Sequence, residues 1–142
     1  KEASPLIRYR TRDMTRLIPG DCPCGSTMPR HERIQGRSDD MIIFRGVNIY
    51  PGQVAAVLER HPQLQSEYQI ALSRSEGLDH MVVRAERRTE TPEAEAEVLA
   101  RAVGEDIKSQ ILVSAKVEIL APGTLPRSFA KTKRVLDERE KD

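Results

Sequence analysis

The amino-acid sequence predicts an α+β domain: a small antiparallel or mixed sheet with helices packed on it, preceded by a short β segment. Three observations carry this. Apolar residues alternate in several short runs, the period of half-buried strands, whereas two other stretches repeat them at helical spacing. The elements come in the order hairpin, helix, two strands, helix, strand and a last short helix, which suits a sheet covered by helices. With 142 residues, 38% of them apolar, the chain can bury one modest core with an appended segment.

The first residues, KEASPLIRYR, carry no initiating Met and enter a strand pattern at once, which reads as a piece of something longer. From Leu6 to Arg12, Ile7, Tyr9 and Thr11 alternate with Arg8, Arg10 and Arg12, so a strand is expected there, with a turn at Arg12-Asp13-Met14 and a return strand from Thr15 to Ile18. Asp13 taken alone is a turn residue that bonds its own backbone. Asp21-Cys22-Pro23-Cys24-Gly25 follows. Cysteines one residue apart would close a strained ring, so a disulfide is not expected. Their spacing is that of half a zinc knuckle, with His31 as a third ligand, or else of an inert turn carrying two thiols.

Gly36 to Pro51, GRSDDMIIFRGVNIYP, places two β-forming runs on either side of Arg45-Gly46, the mark of a tight hairpin. Asp39 and Asp40 repel each other beside Arg37, which suits a solvent-facing joint. Pro51 to His61 is expected to be a helix, with Pro in its first turn and Val54, Val57 and Leu58 at helical spacing. Tyr68 to Arg74 and His80 to Glu86 alternate as two strands about a turn at Ser75 to Asp79. Thr91 is expected to cap the longest helix, with Pro92 at its start, acidic residues at its positive end and a stripe of Val98, Leu99, Ala102, Val103 and Ile107. Lys116 to Leu120 is a further strand. The Pro- and Gly-rich Ala121 to Pro126 is loop. Ser128 is expected to cap a final helix carrying Val135 and Leu136 on its apolar side.

Residues 1–35 therefore form an appendage, 36–40 the joint and 41–142 the domain. Lys+Arg 23 against Asp+Glu 22 leaves a net charge of +1, and aromatics are 4% with no Trp. Neither a nucleic-acid field nor a stacking platform follows from that balance. No apolar run approaches the roughly 18 residues of a membrane span, and no signal-peptide layout opens the chain, so a soluble, cytoplasmic protein is expected.

The pattern G-R-x-D-D-x-I-x-x-R-G-x-N-I-x-P resembles the hinge of AMP-forming acyl-CoA ligases, in detail that of the phenylacetate-CoA ligase family. Y-R-T-R-D, ending at Asp13, is similar to their Y-x-T-G-D, with Arg12 in place of the usual Gly. L-P-R-S-x-x-K-x-x-R, from Leu125 to Arg134, resembles their L-P-[KR]-[TS]-x-G-K-x-x-R, with Ala130 for Gly, and a Cys-x-Cys-Gly also stands at this place in such ligases. The resemblance implies that residues 41–142 are the C-terminal lid of an adenylate-forming enzyme and residues 1–35 the end of its large AMP-binding domain. It implies that Asp13 holds the ribose, Arg37 contacts the nucleotide, Asp39 is the pivot, Gly46 faces the CoA tunnel, and Lys131, with Arg134 trailing it, serves adenylation.

The implied reaction is acid plus ATP to acyl-adenylate, then displacement of AMP by CoA, on a phenylacetate-like aryl acid. ATP/AMP, CoA and Mg2+ are the implied cofactors, the ion held mainly by the absent large domain. Zinc at Cys22 and Cys24 is left open, as is a homodimer. No nucleic acid or membrane partner is expected, and these residues alone are expected to be inactive, since they hold no phosphate-cradling glycine loop. Two alternatives stand beside this: a free-standing α+β module that binds a small ligand or partner protein, and a ligase that adenylates a cofactor or an amino acid.

Overall fold

The computed structural model describes residues 8–34, 36–127 and 134–139. The chain divides into two compact units, Lys1–Met41 and Ile42–Asp142.

The first unit is built from four two-residue strands: β1 (Asp13–Met14), β2 (Leu17–Ile18), β3 (Arg30–His31) and β4 (Gly36–Arg37). β1 and β2 do not pair with each other as a hairpin, contrary to the expectation. β1 pairs antiparallel with β4, and β2 with β3. Residues 8–12 of the expected opening strand lie outside any strand, and Leu6 and Ile7 lie outside the described residues. The backbone supplies the reason: Arg8 and Arg12 have φ of 56° and 65°, left-handed values that an extended strand cannot hold.

The second unit opens with the expected hairpin, β5 (Ile42–Phe44) and β6 (Val47–Ile49), in the register Phe44↔Val47. Its turn residues Arg45 and Gly46 both have positive φ, 49° and 80°, the turn whose twist matches the flanking strands. α1 (Pro51–Leu58) follows, with Pro in its first turn and the Tyr50 N–H donating to Gln53 Oε1 at 2.9 Å. β7 (Leu64–Ser75) and β8 (Leu78–Arg87) are longer than their alternating cores and meet through Glu76-Gly77, again with both φ positive.

A single 3-10 turn, Glu93–Glu95, leads into α2 (Ala96–Ile111). Thr91 does not cap it. That residue is buried, and its hydroxyl donates to the Gln63 carbonyl at 3.1 Å, pinning the approach to the helix instead. Along α2 the buried residues are Leu99, Val103, Ile107 and Ile111, spaced four apart. Val98, expected in the stripe, is one residue and so roughly 100° off that face and is exposed.

β9 (Lys116–Leu120) runs parallel to β8. The expected terminal helix is replaced by a strand, β10 (Val135–Asp137), parallel to β7 in the register Val135↔Ile70. Its capping Ser128 lies outside the described residues. Val135 and Leu136, expected on the apolar side of that helix, are strand residues instead. The free edge of β7 decides otherwise, since its N–H and C=O groups need partners: Ile70 donates to Arg134 O at 2.7 Å, and Glu138 donates to Leu72 O at 2.9 Å.

The main sheet therefore has the order β10-β7-β8-β9, a mixed sheet. Tyr68, Ile70 and Leu72 of β7 and Met81, Val83 and Ala85 of β8 share a core with Val54, Val57 and Leu58 of α1 and the buried stripe of α2. The fold is α+β, as the alternating and helical periods predicted.

Candidate functional site

In the first unit, strand register gathers three of the residues singled out from the sequence. Asp13 is the direct partner of Arg37 across β1 and β4, and the Ser38 N–H donates to Arg12 O at 2.8 Å, so residues 36–38 are laced to the segment carrying Asp13. Arg37 Nε and NH2 donate to the two carboxylate oxygens of Asp39 at 3.0 and 2.8 Å, a bidentate pair. Arg12 reaches the same carboxylate at 3.5 Å. The hydrogen bond from Arg37 holds the Asp39 carboxyl below the usual range and raises the guanidinium in return. Asp13 is exposed, and its N–H donates to Thr11 Oγ1 at 3.3 Å. Left-handed Arg12 stands where Y-x-T-G-D has glycine, the residue that takes this conformation without a Cβ penalty.

The cysteines sit on a short turn closed by the Gly25 N–H on Cys22 O at 2.9 Å. Their sulfurs are 2.9 Å apart, and this contact, favouring a thiolate, lowers the pKa of the exposed Cys24. His31 is turned to other work, its Nδ1 lying 2.7 Å from Glu32 O and 3.4 Å from Thr15 Oγ1. Among the described residues no three His, Cys, Asp or Glu side chains gather as a metal site.

In the second unit the Arg45-Gly46 turn is fixed through Asp79, at the start of β8. Arg45 Nε and NH2 donate to the Asp79 carbonyl at 3.0 and 2.6 Å. The Asp79 carboxylate accepts from Arg74 Nε at 2.7 Å and Arg139 NH1 at 2.9 Å, and these bonds lower its pKa, Arg74 most. Arg139 also donates to Ile43 O at 2.8 Å, and its pairing with Asp137 and then Asp79 raises its own pKa far above the ordinary value. The turn, the hairpin and the end of β10 thus share one cluster.

Arg134 lies elsewhere in the unit, its guanidinium 4.4 Å from the centre of the Tyr68 ring at the lip of a cleft of about 260 Å3 bounded by α1 and the start of β7. Lys131, the residue on which the sequence reading places the chemistry, lies outside the described residues. The segment before it is described: Gly123 to Arg127 folds onto the end of β8, where Glu86 is fully buried. Sequence reasoning missed Asp79, Arg139 and Glu86. Asp79 enters the sequence reading only as the end of a turn, and Arg139 not at all. For Glu86 the available signal was a carboxylate next to Ala85 at the end of a strand rich in apolar residues, with a loop rich in Pro and Gly later in the chain that needs an acceptor for its N–H groups.

The model of the AMP-binding enzyme C-terminal domain matches residues 46–139. A phenylacetate-coenzyme A ligase of Aromatoleum evansii is 43% identical over 148 residues, covering 100% of this chain and 33% of that protein, so the chain spans about a third of the curated relative. Of solved structures, a domain of phenylacetate-coenzyme A ligase from Bacteroides vulgatus ATCC 8482 is 36% identical with a TM-score of 0.65, covering 72% of this chain and 95% of that one. 2-Hydroxyisobutyryl-CoA ligase in the postadenylation state, in complex with R3-HIB-AMP, is 33% identical with a TM-score of 0.80, covering 94% of this chain and 29% of that one.

Proposed function

Since the chain belongs to the AMP-binding enzyme C-terminal domain family, we propose that it works as the lid, with the adjoining end of the large domain, of an ATP-dependent ligase that converts a phenylacetate-like aryl acid to its CoA thioester through an acyl-adenylate. The observation that carries this is the pairing of Asp13 with Arg37 beside a clamped Asp39. An exposed carboxylate can accept from two vicinal ribose hydroxyls at once. The neighbouring guanidinium offers donors to the nucleotide. Asp39 is the pivot, and its bond to Arg37 means that turning the joint also re-aims the arginine.

Lys131 supplies the cation. Attack of the acid carboxylate on ATP gathers negative charge on phosphoryl oxygens, and a compact ammonium placed there lowers the barrier, a contact of this kind being worth ~3 to 4 kcal/mol. Mg2+ accompanying ATP is held by the large domain. The second half belongs to the other face of the lid, where the Arg45-Gly46 turn presents its backbone to CoA.

The test is Lys131→Ala in the ligase that carries this chain. Acyl-adenylate formation, followed by acid-dependent pyrophosphate release, is expected to fall about a hundred- to a thousandfold. Conversion of supplied acyl-adenylate and CoA to thioester is expected to persist. Equal loss in both halves, or intact adenylation, contradicts the assignment.

A further inference from the structure

Glu86 is a charged residue with no exposed surface, on the second-to-last position of β8. Successive strand residues alternate faces, so it points away from the core that Val83 and Ala85 join. Burying a carboxylate there is costly unless every oxygen is paired. The pairing is complete and comes entirely from one later segment: the Leu125 N–H donates to Oε1 at 2.7 Å, while the Gly123 N–H and Arg127 NH2 both donate to Oε2 at 2.9 Å. Leu125 itself is buried, and the Thr124 hydroxyl closes the turn on Ala121 O at 2.8 Å.

This segment ends at Arg127, and the described residues resume at Arg134, whose carbonyl accepts from Ile70 as β10 starts. The described residues on either side of 128–133 are therefore each held, 123–127 by Glu86 and Arg134 by its bond to β7. Segment 121–127 joins no strand, so without Glu86 the two N–H groups facing it would lose their acceptor.

We propose that Glu86 is a positioning residue for adenylation: it sets the point from which the Lys131 stretch departs, and so where the ammonium is delivered. The inference rests on the proposed role of Lys131. Glu86→Gln keeps the size of the side chain but turns an NH2 group toward donors, which releases the entry while leaving the joint and the Arg45-Gly46 turn untouched.

The experiment uses the ligase carrying this chain, with Glu86→Gln, Lys131→Ala and the double variant, and the two half-reactions measured separately. Glu86→Gln is expected to lower kcat for adenylation about ten- to a hundredfold, the scale of a displaced catalytic group. KM for ATP and the rate of thioester formation from supplied acyl-adenylate should stay within about twofold. The double variant should adenylate no more slowly than Lys131→Ala alone, because Glu86 acts only through that lysine. Equal loss in both halves, or a double variant well below Lys131→Ala, overturns the inference and makes Glu86 merely structural.

If Lys131→Ala is itself unselective, the function reading fails whatever Glu86→Gln does. If it is selective and Glu86→Gln is not, only the positioning role fails. Should Glu86→Gln not fold, Arg127→Gln cuts one of the three bonds from an exposed side and is expected to give a smaller, equally selective loss. An unselective loss, or none, counts against the proposal.

Discussion

Replacing Gly46 by leucine separates the backbone demand of the hairpin from the space in front of it. Gly46 sits at φ 80°, and a Cβ built on it meets no heavy atom within 4 Å. The cost to folding is therefore conformational, ~1 to 2 kcal/mol for a side chain held in the left-handed region, and nearly the same for alanine as for leucine. In a unit of this size that corresponds to a fall in Tm of about 5 to 15 °C, within the roughly 5 to 15 kcal/mol by which such domains are stable. Both variants should fold and melt together. If the turn faces CoA, they part in the second half-reaction: the branched side chain of Gly46→Leu stands where the pantetheine thiol must approach, and thioester formation should drop at least about tenfold below that of Gly46→Ala. Adenylation, read by pyrophosphate release, should agree between the two within about twofold. Thioester rates that are indistinguishable between alanine and leucine, or a leucine variant losing both halves alike, would refute the reasoning.

Two further outcomes follow from the packing. Asp79 has its native pKa lowered by Arg74 and Arg139, so its contribution to stability is present above the ordinary aspartate value of about 3.9 and is lost as pH falls through the lower native value. The difference in urea midpoint between wild type and Asp79→Asn should hold constant near neutrality and shrink in acid; a gap that widens in acid would contradict the pairing. On α2, Ile107→Ala should destabilise by about 2 to 5 kcal/mol, while Val98→Glu, on the exposed face, should stay within about 0.5 kcal/mol. Calorimetric melting of the two variants decides whether the helix packs in this rotation.

How much of this was legible in the sequence depended on the range of the interactions involved. The hairpin at Arg45-Gly46, α1, and strands β7, β8 and β9 are written locally, in two-residue turns with glycine and in alternating Tyr68, Ile70, Leu72 or Val117, Ile119. What local pattern misread was decided by distant partners. Val135 to Asp137 is strand because β7 had an open edge, and Asp13 to Met14 is strand because Gly36-Arg37 lies opposite. The rotation of α2 turned on which of two adjacent residues, Val98 or Leu99, meets the sheet, and a one-residue difference is below what a hydrophobic stripe resolves. In the candidate site, Asp13, Arg37 and Asp39 could be named from motifs, but their meeting could not, since Asp13 and Arg37 are 24 positions apart. Glu86 was out of reach for the same reason: its partners are 37 to 41 positions away.

The geometry of β8 bears on the proposed movement of the second unit as a lid. Asp79, which fixes the Arg45-Gly46 turn, and Glu86, which fixes the approach to Lys131, lie at opposite ends of this strand. Seven residues of strand span about 23 Å, and an odd separation turns the two side chains to opposite faces of the sheet. A paired central strand is stiff, so the two devices cannot be brought to one reacting centre by bending the unit. If the turn serves CoA and the lysine serves ATP, a single nucleotide site can meet them only in succession, by rotation of the whole body. The joint that would permit this is short and polar, with Asp39 held by exposed arginines rather than by packing. Of the two, the Arg12 contact at 3.5 Å is of the weak, exposed kind that can be exchanged at little cost. The core of the second unit, by contrast, has no reason to change between the two half-reactions, which is why substitutions at Gly46 and at Lys131 should fail in opposite halves while leaving the same fold.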